Sequence, residues 1–491
     1  MKTRNLLFLS IIMAASIDAA AQGPDALSRA CNEIKRYEAF ASGQIAFLAT
    51  DIKTGEEIVA FNPDMSVIPA SNTKLFSTAA ALDIYGPEYR YKTEVLYTGK
   101  LDSTGRLNGD IIIRGSGDPT LGSRFFTDHP NYNYNELFIK AIREAGIRHI
   151  AGNIVGDGTA YAKEMTPPTW SWEDIGNYFG AVPNGLTAHD NLVTLHFKTG
   201  REGSEAIYTY CDPEIEGLQV LSQGVSSNVS REGTNTFGKS YQNFKYVQGP
   251  MPMNRTDITV RSIMPDPPLF VATQLRDSLN ARGISVFGKS LSAADNSRYA
   301  NRDGADEHLI LTLESPTLAE IIQKTNLFSI NLFAEHCLAL VGLKQAKTTD
   351  ITSASWALMA WWKSKGMNIK GMSINDGSGL SHYNIVTPRQ LCYVLTYMRN
   401  TSKYYTEFNN SLTMCGGLGT MGSMCAGTRA VNNARGKSGT IRRVKSYSGY
   451  VKSRSGRELA FSIVINNFTC SSSETRTMME KYIAALADYN R

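Results

Sequence analysis

The 491-residue sequence is most informative first in what it lacks. It has no low-complexity tract and no short-period repeat, so solenoid and disordered architectures are excluded. It carries no concentrated charge of one sign. Lys and Arg are scattered, and the formal net charge is only +5, which leaves no basic stripe for a nucleic acid. It has no H-e-x-x-H segment and no cysteine or histidine spacing of a zinc site, and therefore no metal or other cofactor is expected. It has no G-x-S-x-G elbow, and its seven histidines have no triad-like context. Within the apolar stretch around His336-Cys337, both residues read as core.

An apolar run long enough to span a bilayer is also missing. Lys2 and Arg4 precede the run Leu6 to Ala15, which is about half the roughly twenty residues a spanning helix needs. The run ends in Ala19-Ala20-Ala21, the pattern of a cleavable export signal over residues 1–21. No cysteine stands at the expected cut, which argues against a lipid-modified terminus. Export permits disulfides, but the count of seven cysteines is odd and leaves at least one thiol without an intrachain partner. Cys415 and Cys425 are the nearest pair in sequence.

What is present begins with ordinary globular composition, 42% hydrophobic and 19% charged. A chain of this length exceeds what one core can hold, so two or three domains are expected. Strand-like runs at Gln44 to Thr50 and Glu57 to Phe61 flank a turn at Lys53-Thr54-Gly55-Glu56 and predict a hairpin. The next run, Asn72 to Ile84, has helical spacing and puts Ser71 at or next to a helix start. Near the other end, Ser446 to Lys452 and Glu458 to Asn466 read as strands, and Ser473 to Asp488 as a last helix that packs on the core. Hairpin, strands and helices of the two ends can share one sheet.

The middle reads as mostly β, with strands at Lys92 to Leu101, Asp110 to Arg114, Leu192 to Lys198 and Phe244 to Gln248. Gln223 to Lys239, punctuated by Gly and Asn, reads as surface loops. After Pro265, Pro267 and Pro268 comes a helical run from Leu269 to Arg282, then a strand near Gly283 to Val286, as in a return to an earlier domain after a nested insertion.

Three short motifs carry chemistry: Ser71-Asn72-Thr73-Lys74, Ser329-Ile330-Asn331 and Lys437-Ser438-Gly439-Thr440. Serine needs a base to become a nucleophile, and a lysine three positions on along a helix lies on the same face. That lysine must be neutral to act, and both burial and a positive neighbour such as Lys437 lower its pKa. Ser329, within a helical stretch from Leu318 to Leu343, can relay a proton, and Asn331 can hold Lys74 or a substrate carbonyl. The Lys437 motif offers a strand edge for a peptide, with Gly439 permitting close approach. Backbone N–H groups of Ser71 and Thr440 are placed to form an oxyanion hole. More than half the chain separates the first motif from the second, far more than a compact acyl-serine domain requires.

With Arg114-Gly115-Ser116-Gly117-Asp118-Pro119-Thr120-Leu121, Asp376-Gly377-Ser378-Gly379-Leu380-Ser381, Gly419-Thr420-Met421 and Gly449-Tyr450, these motifs resemble the class C low-molecular-mass penicillin-binding proteins of the penicillin-binding protein 4 type, which are D-alanyl-D-alanine carboxypeptidases and endopeptidases. The resemblance implies an α/β (α+β) penicillin-binding/β-lactamase-like transpeptidase domain split by two inserted, mostly β domains. The catalytic domain is expected at 22–89 and 303–491, inserted domain II at 90–165 and 262–302, and nested domain III at 166–261. It further implies Ser71 as acylated nucleophile, Lys74 as base, Ser329 and Asn331 as second element, and Lys437, Ser438, Gly439 and Thr440 as third.

Asp157 is a candidate partner for an amine on the third stem residue, and Leu380, Ser381 and His382 are candidate substrate contacts. His382 stands where the family often has arginine, which weakens a fixed positive charge there, and Ile330 stands where the family commonly has a polar residue. The implied partners are peptidoglycan peptides ending in D-Ala-D-Ala and β-lactams as covalent inhibitors, in the periplasm, with at most peripheral membrane contact. A β-lactamase is the alternative, opposed by the long insertion and by the lack of an E-x-x-L-N segment after Asn331. A non-catalytic wall-binding scaffold is a second alternative, opposed by the full set of reactive side chains.

Overall fold

The computed structural model describes residues 25–300 and 304–491. The expected export signal at 1–21 and the expected boundary at 302/303 lie outside the described residues.

The two ends of the chain meet in one six-stranded antiparallel sheet. Its order is Thr413–Met414, Arg435–Ile441, Val444–Lys452, Glu458–Asn466, Gln44–Asp51 and Glu57–Phe61. The amino-terminal hairpin forms as expected and is joined to the carboxy-terminal strands by pairing of Gln44–Asp51 with Glu458–Asn466, with Phe47 opposite Ile463. Alternate residues serve opposite faces, as strand geometry dictates. Ala46 and Leu48 face a helical core, while Ile45, Phe47 and Ala49 face a second one. Both faces are covered, which is why these strands read as nearly continuous apolar runs. The second face packs on the helices Ala26–Arg36 and Ser472–Asp488, through Leu27, Ile34, Tyr482 and Ile483.

The first face packs on the helices Lys74–Tyr85, Asn331–Ala346, Ile351–Ser364 and Pro388–Asn400. Lys74–Tyr85 is the central one. Every residue from Lys74 to Leu82 is buried, and the run Ala79-Ala80-Ala81 lets neighbouring helices approach closely. Its polar buried positions, Lys74, Ser77 and Thr78, therefore need partners inside the protein.

The intervening chain builds further sheets. A five-stranded sheet orders Ser290–Ser292, Ile154–Asp157, Ile111–Gly115, Lys92–Thr98 and Glu307–Glu314, with the helices Tyr134–Glu144 and Pro267–Ala281 in the adjoining core. Leu192–Lys198 lies between Ile207–Asp212 and Ile258–Ile263, and Phe244–Pro252 lies between Gln219–Ser227 and Asn235–Phe237. These two three-stranded sheets share a core of Val193, Leu195, Phe197, Val247, Met251 and Val260.

Two local expectations are corrected, and one further strand is added. Within Gln223 to Lys239, expected as surface loops, lie the end of the nine-residue strand Gln219–Ser227 and the short strand Asn235–Phe237, with loop between them. The buried side of Gln219–Ser227 is Ser222, Gly224 and Ser226, while Leu221 and Val225 face outward, so its polarity pattern is the reverse of the usual one. The helical stretch around Ser329 is two helices, Leu318–Phe328 and Asn331–Ala346, broken where Ser329 takes a left-handed conformation with φ 59°. Glu307–Glu314 pairs with Lys92–Thr98, so it belongs to the five-stranded sheet and not to the six-stranded one. All seven cysteines carry free thiols. Among the described residues no helix is long and apolar enough to cross a membrane.

Candidate active site

Ser71 sits in a 3-10 turn, Ala70–Thr73, that runs directly into the helix beginning at Lys74. The turn is held from two sides. Ala70 is left-handed at φ 47°, and Thr73 Oγ1 donates to the Ala70 carbonyl at 2.9 Å. Ser446, on the strand Val444–Lys452, donates from Oγ to the Pro69 carbonyl at 2.6 Å and accepts from the Asn72 side chain. Gly439, opposite Ser446 in register, closes the contact. A Cβ there would lie 2.6 Å from the Pro69 carbonyl oxygen and 3.0 Å from the Ser71 nitrogen, so only glycine lets the strand lie this close to the nucleophile.

Lys74 is fully buried, and its Nζ has three neighbours: Ser71 Oγ at 3.0 Å, Asn331 Oδ1 at 2.6 Å and the Ser378 carbonyl at 2.7 Å. Burial lowers its pKa to about 7, against the opposing pull of Asp376 and Glu335. The expected repulsion between the two lysines falls on Lys437, which burial and Lys74 together hold well below the usual lysine range. Two carbonyl-type acceptors occupy two N–H bonds, so the lone pair of a neutral Lys74 is left for the Ser71 hydroxyl.

Lys437 Nζ donates to Ser329 Oγ at 2.9 Å and to the Ser438 carbonyl at 2.7 Å. The left-handed break at Ser329 turns that hydroxyl toward Lys437, which an unbroken helix would not do. Ser438 Oγ donates to Thr420 Oγ1 at 2.7 Å, joining the loop of Gly419-Thr420-Met421 to the third motif. The three motifs thus meet in one cleft whose lining includes Ser71, Ser329, Asn331 and Thr440.

Several groups in and around this cleft have no role that the sequence makes legible. The Phe179 carbonyl accepts from Asn331 Nδ2 at 2.8 Å. Asp376 organises its loop by accepting from the Gly379, Ser381 and Asn384 donors and from Trp170 Nε1 at 2.8 Å. Arg124, Glu173, Asp174, Tyr178 and Arg442 also line the cleft. Burial and Glu173 raise the Asp174 carboxyl to about 6.

The expected substrate contacts divide. Leu380 and His382 line the cleft. Ser381 is fully buried, and its Oγ donates to Thr169. Asp157 is not among the lining residues: it accepts from Arg114 Nε at 2.9 Å and from Thr159. Its carboxylate is spent within the five-stranded sheet. His336 is buried beside Tyr91 and Tyr161, 3.3 Å from Thr187, and burial lowers its pKa to about 3. It is a neutral core residue, in keeping with its apolar sequence context.

A mixed α/β fold with a Ser-x-x-Lys pair whose lysine is buried, and a lysine strand motif, defines an active-serine, penicillin-recognising class. The model of the D-Ala-D-Ala carboxypeptidase 3 (S13) family matches residues 27–489, and the chain belongs to that family. It is 27% identical over 439 residues to a D-alanyl-D-alanine carboxypeptidase of Actinomadura sp. strain R39, covering 85% of this chain and 77% of the relative. It is 22% identical over 439 residues to the D-alanyl-D-alanine carboxypeptidase DacB of Haemophilus influenzae, covering 88% and 87%. The fold matches the crystal structure of penicillin binding protein 4 from Haemophilus influenzae with a TM-score of 0.78 at 20% identity, covering 94% of this chain and 99% of that one. The resemblance drawn from the motifs is thereby borne out at the level of family, fold and activity class.

Proposed function

We propose that this protein is a serine D-Ala-D-Ala carboxypeptidase that acts on peptidoglycan stem peptides in the periplasm through an acyl-enzyme on Ser71. The observation that carries this reading is the fully buried Lys74 Nζ, 3.0 Å from Ser71 Oγ. Ser71 Oγ attacks the carbonyl of the penultimate D-alanine and gives its proton to Lys74. The negative charge on the carbonyl oxygen meets the N–H groups of Ser71 and Thr440, whose backbones the Gly439 contact brings together. The C–N bond breaks as the leaving nitrogen takes a proton through Ser329 Oγ, which Lys437 holds. D-Alanine departs, and water hydrolyses the ester. β-Lactams acylate the same serine and leave slowly. A peptide bond to a cross-linked neighbour also follows a D-alanine, so endopeptidase action uses the same steps.

Recognition of an amine on the third stem residue falls to Glu173 and Asp174, supported by their position on the cleft and by the commitment of Asp157 to Arg114. The chain is read as a catalytic domain of 22–89 and about 315–491, an inserted domain of 90–165 and about 266–314, and a nested one of about 166–265. The later return is supported by the pairing of Glu307–Glu314 with Lys92–Thr98, and the nested boundary by the pairing of Ile258–Ile263 with Leu192–Lys198.

The test is labelling with a fluorescent penicillin together with release of D-alanine from a D-Ala-D-Ala pentapeptide. Wild type labels and releases D-alanine, and Ser71→Ala does neither. Undiminished labelling of Ser71→Ala rejects the assignment. Mass spectrometry of digested cross-linked muropeptides reads the endopeptidase share.

A further inference from the structure

Glu335 lies one helical turn beyond Asn331 on Asn331–Ala346 and is fully buried. Its Oε2 accepts from the Gly377 N–H at 2.9 Å and its Oε1 from the Ser378 N–H at 2.8 Å. One donor on each oxygen matches an ionised carboxylate. The peptide groups it grips belong to the turn whose Ser378 carbonyl accepts from Lys74. Ser77 Oγ, from the helix that starts at Lys74, pins the same turn by donating to the Gly377 carbonyl at 2.8 Å.

We propose that Glu335 is a positioning residue for acyl transfer: its carboxylate holds the Gly377–Ser378 turn so that the Ser378 carbonyl and Asn331 occupy two N–H bonds of Lys74 and aim its lone pair at Ser71. Glu335 touches no reacting atom and exchanges no proton with the substrate. The proposal rests on the reading of Lys74 as base.

The charged groups facing this cluster are Asp376, from the loop packed on Glu335, and Lys437, from the strand beyond Lys74. His336, the next residue, is neutral and turned toward Thr187. Burial and then Asp376 raise the pKa of Glu335, while the two N–H donors and Lys74 oppose that rise and favour its charge. An ionised Glu335 in turn stabilises the ammonium form of Lys74. Loss of that charge therefore moves the titration of Lys74 downward. A carboxylate that merely satisfied two buried N–H groups, at a distance from the base, would leave that titration in place.

The experiment measures the second-order rate of acylation by a fluorescent penicillin from pH 5.5 to 9, with melting temperatures, for wild type, Glu335→Gln, Glu335→Asp and Lys74→Ala. In Glu335→Gln the amide turns a donor toward a backbone donor. The expected result is a plateau lower by about tenfold or more from misplacement of the Ser378 carbonyl, with the acid limb moved down by about one pH unit. Glu335→Asp keeps the charge but is too short to reach both N–H groups, so it lowers the plateau and leaves the limb in place. A Glu335→Gln protein with the wild-type plateau, or with its limb at the wild-type pH, overturns the proposal whatever its melting temperature. If Glu335→Gln does not fold, Glu335→Asp carries the test, and an undiminished plateau in it overturns the proposal. Lys74→Ala separates the two levels: wild-type acylation in that variant rejects Lys74 as base irrespective of Glu335.

Discussion

The side-chain amide of Asn331 is shared between Lys74, which donates to its Oδ1 at 2.6 Å, and the Phe179 carbonyl, which accepts from its Nδ2 at 2.8 Å. An amide can present either end to a neighbour, and the Phe179 carbonyl determines which end faces the lysine. A residue from the middle of the chain thus orients a group in the catalytic cleft. The intervening chain thereby lines the candidate cleft.

Replacing Asn331 by aspartate removes the donor to Phe179 and adds a negative charge beside Lys74. Acylation should slow, and its acid limb should move up by about one pH unit because the ammonium form is stabilised. The rate of fluorescent penicillin labelling against pH reads both effects, and a limb that stays put contradicts the role given to Asn331.

In the unsubstituted protein, acylation should rise through about pH 7. Burial lowers Lys74 to that value, and only its neutral form accepts the serine proton, so activity is gained as pH rises past the folded pKa and lost below it. Stopped-flow rates with a chromogenic cephalosporin between pH 5 and 9 check this. A rate independent of pH from 6 to 8 contradicts it.

Gly439→Ala should lose acylation by at least about a hundredfold. Its Cβ would stand 2.2 Å from Ser446 Oγ and 2.6 Å from the Pro69 carbonyl oxygen, and the turn carrying Ser71 would have to move. The strain costs about 1–3 kcal/mol, visible as a lower melting temperature. Wild-type labelling in this variant would show that the close approach is dispensable.

Asp174→Asn should raise KM for stem peptides with a free amine on the third residue by about tenfold. Acylation by a penicillin lacking an amine should remain unchanged. Acetylating the peptide's amine should abolish the difference between variant and wild type. Equal KM values for free and acetylated peptides in wild type would remove Glu173 and Asp174 from substrate recognition.

The catalytic letters and the sheet at the two ends were readable because both rest on short spacings. Ser71 and Lys74 are three positions apart, and Gln44–Asp51 and Glu57–Phe61 alternate on either side of a turn. Gln219–Ser227 was not readable, since small polar residues fill its buried face. The break at Ser329 was hidden by apolar residues on both sides of it, which continue a helical pattern through a left-handed residue. Asp157 was misleading for a different reason. Its turn context has the same letters whether its carboxylate is free or, as here, bound to Arg114.

From its sequence alone, this protein is determined as an acyl-serine enzyme whose motifs stand far apart along the chain. The order of three motifs and the length between them depend only on covalent spacing. Tertiary structure alone brings Phe179, Trp170 and Glu335 around Asn331, Asp376 and Ser378. Each of those contacts is a single hydrogen bond between segments distant in the chain, and burial makes each one costly to leave unmade. No local period records such a partner. The spacing of Ser71 and Lys74 is therefore written in nearby letters, while the orientation of Lys74 toward Ser71 depends on the fold.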